Sequence, residues 1–452
     1  MTARSDQPLH VGFLAIGRRR PGFDPEWGSQ MAAAAWEAAE AGDFQAVRPA
    51  EPVVDDATLR RAIAELKQAD CRTLVVLQPT MGDGRLAPVL AQLWGGPLVL
   101  WATPERPEAD RVTACSLVGT HVFGSTLRQL QRPFELVYGP PDEPATRRKL
   151  DAAVRLTAAA AGLARAKIGL VGQHAPGFVN MHADPAALSR SLGAQLHHFG
   201  MAEFVARVEA CERARVDADV RAVLDMKLAV QEDLDRDHLG PNSAYYLALS
   251  DLIAEENLDA LALRCWPELP NHFGHWPYLA MMRLTEEGWP VALEGDVDGA
   301  ILGLAGGLLG IGVGYLSDWL EHDEESVTLW HPGHAPRSLC EPGSLRLGRH
   351  FNNDLPLVLN ARLAADRPIT LARLWRCDNE YRLAALHART APPRRALLGV
   401  TSTALVDGAR VPDRFDHLVH VGMPHHVTLF EGHHLDALRR LARLLGVRWI
   451  DA

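Results

Sequence analysis

The chain has 452 residues, 47% hydrophobic and 23% charged, with a formal net charge of −10. That length is too great for one ordinary core and implies two or three domains, while the balance is that of a globular protein. Scattered arginines that form no basic stripe exclude nucleic acid as a natural partner. Cys71, Cys115, Cys211, Cys265, Cys340 and Cys377 are widely spaced with no CxxC pair. They imply free thiols and a cytoplasmic location, not disulfides or structural zinc.

The N-terminus, MTARSDQPLHVGFLAIGRRR, has an apolar run of only six residues before three arginines. That is neither a signal peptide nor a membrane span. HVGFLAIG (10–17) reads as a buried strand and EWGSQMAAAAWEAAEAG (26–42) as a helix ending at glycine. FQAVRPA is a second strand, DDATLRRAIAELKQAD a helix with an Asp cap, TLVVLQPT a third strand and PLVLWATP a fourth. Such alternation predicts a parallel sheet covered by helices on both faces, with active residues where the strands end.

YGPPDEPATRRKL (138–150) reads as a linker into a second domain, and KIGLVGQHAPGF restarts the strand pattern. SRSLGAQLHHFGMAEFVARVEAC predicts helix, strand and helix, and LDALALRCWPEL a buried strand. The longest apolar stretch, AILGLAGGLLGIGVGYL (300–316), carries six glycines between Asp298 and Asp318 and is a poor membrane span. From about residue 320 the texture changes to short strands with close turns: SVTLWHPGH, SLRLGRH, PLVLNARL, PITLARLWRC, YRLAALHART, RALLGVTSTAL and HLVHVGMPHHVTLF. HLDALRRLARLLGVRWID closes the chain as an amphipathic helix and a strand. The expected fold is α/β: two doubly wound, Rossmann-like parallel-sheet domains (1–140 and 141–318), then a C-terminal antiparallel β-barrel-like domain (319–452).

The chemistry concentrates in PVALEGDVDGA (290–300), where a short apolar strand delivers Glu294 into a glycine turn with Asp296 and Asp298 close behind. Asp318 follows 24 residues later, also after an apolar run. Histidines cluster at His331 and His334 in WHPGH, at His425 and His426 in MPHHV, and at His433 and His434 in EGHH. Two carboxylates with one or two imidazoles form an oxygen-rich set that suits Mn²⁺, Mg²⁺ or Co²⁺ better than structural zinc. Each residue also has a plainer reading. Glu294 serves as a solvated turn acid, Asp318 as a helix N-cap, His331 as turn packing, and the paired histidines as ordinary strand residues. Asp296 reads as a turn acid, Asp298 as an N-cap, and His433 and His434 as solvated residues.

LEGDVDGA, then Asp318, HPG and the late PHHV together resemble the L-fucose isomerase and L-arabinose isomerase superfamily. ATPERP, PFELVYG, MAEFVARVE and RCWPELPNHFG…MMRLTEEGWPVALEGDVDGA extend the likeness over most of the chain. The resemblance implies two α/β domains and a barrel-like domain. It also implies aldose–ketose interconversion with Mn²⁺ or a similar ion, and a homo-oligomer, a hexamer by that likeness, in which the first domain completes a neighbour's pocket. It places metal ligation and catalysis on Glu294 and Asp318, further ligation on His425 or His426, and an additional ligand at His331. Isomerisation needs such a set, since a cation chelated by O1 and O2 stabilises the enediolate while flanking carboxylates move the proton.

For the monosaccharide itself, Trp266, Asn271, His275 and Trp276 lie just upstream of Glu294, and Gln78 and Arg106 end first-domain strands. Arg18, Arg19 and Arg20 offer either an anion site or a surface ion-pair patch. Pentose, 6-deoxyhexose and acid-substituted hexose all remain open as substrates. The competing classes are an epimerase or other enolate-forming metal enzyme, and a non-catalytic sugar-binding protein.

Overall fold

The computed structural model describes residues 9–18, 23–232, 234–408 and 410–452. The chain forms two compact units, Ala3–Gly162 with Arg443–Gly446, and Leu163–Ala442 with Val447–Ala452.

In the first unit, β1 (His10–Ala15), β2 (Gln45–Val47), β3 (Thr73–Gln78), β4 (Leu98–Ala102) and β5 (Phe134–Tyr138) form one parallel sheet in the order β2-β1-β3-β4-β5. Period-two alternation sends Leu74 and Val76 to one face, with Leu59, Leu90 and Phe123. Val75 and Leu77 go to the other, with Ala35, Ala38, Leu150 and Ala153. Two cores on opposite faces make this a doubly wound sheet, which is why β3 and β4 are buried at every position. The alanine-rich helix Pro144–Leu163 packs on one of these faces through Leu150 and Val154.

The second unit begins with β6 (Lys167–Val171), β7 (Gln195–Phe199), β8 (Ala229–Val230), β9 (Ala260–Leu263) and β10 (Val291–Ala292). Its parallel sheet has the order β10-β9-β6-β7. The remaining strands are β11 (Tyr315–His322), β12 (Ser326–His331), β13 (Arg346–Arg349), β14 (Pro356–Arg362), β15 (Pro368–Cys377), β16 (Glu380–Ala391), β17 (Val400–Val406), β18 (His426–Glu431) and β19 (Arg448–Ile450). Pairing runs β11-β12-β17-β16-β15-β18 and returns to β11, every step antiparallel. This closes a six-stranded barrel, which leaves no free edge among those strands. Its core includes Tyr315, Val327, Leu329, Leu371, Trp375, Leu386 and Leu429.

The first part of the apolar glycine-rich stretch forms the helix Val297–Leu309, packed against β9, β15 and β18, and its last two residues enter β11. At Gly306 a Cβ would stand 2.3 Å from the Gly312 carbonyl oxygen and 2.4 Å from the Phe430 ring. Glycine there permits a close approach to the barrel. No helix among the described residues is long and apolar enough to cross a membrane.

One sequence expectation is corrected. The HLVHV segment, expected as strand, lies in the helix Val411–His420, which has proline in its first turn and His417 and His420 in its last.

Candidate metal centre

The centre forms in the second unit, where the parallel sheet meets the barrel. After β10 the chain turns through Glu294 (φ 60°) and Gly295 (φ 73°). The turn is stitched to its neighbours: Ala175 N–H donates to the Glu294 carbonyl at 2.8 Å and Gly295 N–H to Leu263 O at 3.0 Å. A Cβ at Gly295 would lie 2.2 Å from the Gln173 carbonyl oxygen, so only glycine fits. Glu294 itself holds a left-handed conformation that costs about 1 kcal/mol or more for a residue with a side chain. The conformation aims its carboxylate inward. Oε1 accepts a hydrogen bond from Trp266 Nε1 at 2.8 Å, and Oε2 lies 3.1 Å from His426 Nε2.

Asp318 sits within β11, not at a helix N-cap, and antiparallel register sets it opposite both His426 on β18 and Trp330 on β12. Its Oδ1 is 3.6 Å from His426 Nε2 and 3.9 Å from His425 Nε2. His331 is the last residue of β12 and is buried. Two groups of ligating atoms result, Glu294 with His425 and His426, and Asp318 with His331 and His426, each within 4.8 Å. They share His426, so all five residues expected as ligands come together. Between the paired histidines, His426 is the fully buried one, and His425 is at the rim with its ring 4.7 Å from Phe178.

The charges are strongly interdependent. Burial pushes Asp318 up to about 6, with the Glu294 charge adding to the rise and His426 opposing it. Burial alone would lower His426, but its hydrogen bonds to Asp296 and Glu294 win and raise it to about 10. Burial, then the neighbouring His426, lowers His425 to about 4 and His331 well below the ordinary histidine range. His425 and His331 are therefore neutral near pH 7, as metal ligation requires, while His426 must release its Nε2 proton to ligate.

Two buried atoms, Asp318 Oδ1 and His331 Nδ1, have no hydrogen-bond partner among the described residues. Buried polar atoms are ordinarily satisfied, so both look toward something the chain does not supply. Orphaned carboxylate and imidazole atoms beside Glu294 fit a divalent cation. A further group, His387, Asp407 and His433, is less apt. There the two rings stack at 4.2 Å and 16°, so their in-plane lone pairs run side by side and do not converge.

The expected sugar-binding residues scatter more widely. Trp266 holds Glu294 and faces Phe178 at 6.0 Å. Trp276 is a buried member of a ring stack, 4.0 Å from His350 and 5.2 Å from Tyr278, and Tyr278 in turn meets the His331 ring edge-on at 6.4 Å. His275 is not brought to the carboxylates; its ring nitrogens engage Phe273 O and His238. Asn271 is exposed on the short helix Glu268–Phe273. In the first unit, Gln78 spends its amide on Gly119 O and Gly82 N–H, Arg18 Nε donates to Gly82 O at 3.1 Å, and Arg106 pairs with Asp24. Arg19 and Arg20 lie outside the described residues.

Sequence reasoning assigned Asp296 and Asp298 the wrong way round and missed Arg373. Asp296, not Asp298, caps the helix Val297–Leu309, accepting from Gly299 N–H at 3.0 Å. It also pairs with Arg373 and with His426 Nδ1, the latter at 2.8 Å. The signal was Arg373, set between Ala372 and Leu374 midway along the apolar strand PITLARLWRC: an arginine on the inward face demands a buried carboxylate. His334 is likewise fully buried 5.9 Å from the His331 ring, with neither ring nitrogen partnered among the described residues.

No family model matches the chain. It is similar to proteins named sulfoquinovose isomerase. Those of Priestia aryabhattai and Priestia megaterium (strain ATCC 12872 / QMB1551) are 27% identical over 446 residues, covering 98% of each chain. That of Alkalicoccus urumqiensis is 27% identical over 379 residues, 82% of this chain and 84% of the relative. These relatives support an enzyme of the aldose–ketose isomerase type.

Proposed function

We propose that the chain is a metal-dependent aldose–ketose isomerase acting through an enediol, with a sulfonated aldose of the sulfoquinovose kind as its substrate. The observation that carries the reading is the convergence of Glu294, Asp318 and His426, with carboxylate oxygens 3.1 and 3.6 Å from the same imidazole nitrogen. The full-length likeness to sulfoquinovose isomerases favours the sulfonated sugar over a neutral pentose or 6-deoxyhexose.

Glu294, Asp318 and His426 would hold the cation, with His331 and His425 at hand to complete its coordination; Mn²⁺, Co²⁺ or Mg²⁺ all accept such a set. The cation, when bound, supplies Lewis-acid stabilisation of negative charge on the sugar's O1 and O2. The chain does the rest. One carboxylate takes the proton from C2 of the open-chain aldose, and a carboxylate returns a proton to C1, while the O2 hydroxyl gives up its proton and O1 gains one. Trp266 fixes Glu294 for this by occupying Oε1, leaving Oε2 facing inward. The edge-on rings of Phe178 and Trp266 offer an apolar wall on one side of Glu294.

The test is metal content and turnover of wild type beside Glu294→Gln and Asp318→Asn, with sulfoquinovose, a neutral pentose and a 6-deoxyhexose offered in deuterated water. The reading expects a stoichiometric divalent ion, a ketose product carrying solvent deuterium, and loss of at least about 100-fold in turnover in both variants. An aldose product would show an epimerase. Absence of bound metal after Mn²⁺ soaking would remove the mechanism.

A further inference from the structure

We infer that Asp296 and Arg373 are positioning residues for the metal centre, fixing His426 as the tautomer whose Nε2 faces Glu294 and Asp318. The inference rests on the metal-dependent reading above and goes beyond it, because neither residue offers an atom to the cation.

Asp296, Arg373 and His426 are all at most 1% exposed, the deepest charged cluster in the second unit's described residues. Arg373 stands on β15 of the barrel, and Asp296 follows β10 of the parallel sheet. The guanidinium forks onto both oxygens of Asp296, with Nη2 donating to Oδ1 at 3.0 Å and Nη1 to Oδ2. Gly299 N–H donates to Oδ1 and the His426 ring meets Oδ2 at 2.8 Å. With three of its partners unable to be anything but donors, the carboxylate cannot turn.

The chemistry of the imidazole follows. An ionised carboxylate only accepts, so the short contact requires the proton on His426 Nδ1. With Nδ1 committed, Nε2 on the far side of the ring is the nitrogen left to exchange its proton for a cation, and it is pointed between Glu294 Oε2 and Asp318 Oδ1. A carboxylate behind a ligating histidine fixes the ring and raises its basicity. Helix capping alone does not explain the arrangement. The cap uses only the Gly299 N–H on Oδ1, which leaves the Arg373 fork and the His426 contact on Oδ2 unaccounted for. A buried ion pair is also weak as a source of stability, since apolar residues fill such space as well or better.

The experiment measures Mn²⁺ affinity of the full chain by calorimetric titration, for wild type, Asp296→Asn, Arg373→Lys and Glu294→Gln. Melting temperatures with and without Mn²⁺ accompany each titration. Asp296→Asn should bind Mn²⁺ about 10–100-fold more weakly, the usual effect of losing such a partner. Its melting temperature should also rise less on adding Mn²⁺ than that of wild type. Arg373→Lys keeps a charge but loses the fork and should weaken binding in the same direction by less. A variant that merely loosened the fold would lower the metal-free melting temperature and leave the affinity alone. Wild-type affinity in folded Asp296→Asn, with binding lost in Glu294→Gln, overturns the inference and leaves the metal-dependent reading standing. If Asp296→Asn does not fold, wild-type affinity in Arg373→Lys overturns it. No Mn²⁺ binding by wild type removes both.

Discussion

Three acids follow one strand, and each meets a different fate. Glu294 turns inward to the candidate centre, Asp296 is held in a charge network, and Asp298 is left with a buried Oδ1 that has no hydrogen-bond partner among the described residues. Burial pushes the Asp298 carboxyl up to about 7, with Arg373 opposing and Asp296 reinforcing the rise. The folded state therefore prefers it protonated. That contribution to stability is complete below the ordinary value of 3.8 and is lost as pH climbs through about 7. Asp298→Asn should then melt roughly 2–4 °C higher than wild type at pH 8, and the gap should close by pH 4, read by thermal scans of metal-free protein. Trp266 yields a second prediction. Trp266→Phe removes the donor to Glu294 Oε1, and should lower kcat about 10-fold with little change in metal content, measured by steady-state kinetics and metal analysis.

At the scale of elements, the turn after β10 and the pairing of β11 with β18 decide the geometry. Gly295→Ala would press a Cβ into the Gln173 carbonyl oxygen and strain a φ of 73°. It should cost more than about 1 kcal/mol in denaturant unfolding and displace Glu294, abolishing the thermal shift caused by Mn²⁺. In the barrel, Asp318 and His426 face each other only because their strands hold one register, since a one-residue slip would send either side chain to the opposite face. Elsewhere the helices Arg213–Asp225 and Tyr278–Glu286 are tied by Arg283, whose two terminal nitrogens each lie 2.7 Å from an Asp219 oxygen. Asp219→Asn breaks a nearly buried pair and should cost about 3 kcal/mol without touching metal affinity.

Across the whole molecule, every residue expected as a metal ligand belongs to the unit Leu163–Ala442. A ligand that binds only the folded state stabilises the part that holds it. Calorimetry of metal-loaded protein should therefore show a transition that falls on EDTA treatment and another, from the first unit, that does not. A single transition moving as a whole would mean that the units unfold together.

The sequence by itself determined the succession of layers and the chemical types at the centre. Apolar runs of period two, helical spacing and glycine turns are local signals, so the α/β sheets and the strand-rich C-terminal region were legible in it. So were Glu294, Asp318 and the late histidines, because acids at the ends of apolar runs stand out against their surroundings. The tertiary structure alone decided which atoms meet. Barrel closure pairs β11 with β18 over a long loop of chain, and that contact singles out His426 over His425. It alone brought Arg373 on β15 to Asp296, through long-range pairing that no local spacing encodes. It also sent Asn271 to the surface and spent the rings and amides of His275 and Gln78 on neighbouring groups. A side chain's type is written in the chain, but its partner depends on strands that meet only after folding.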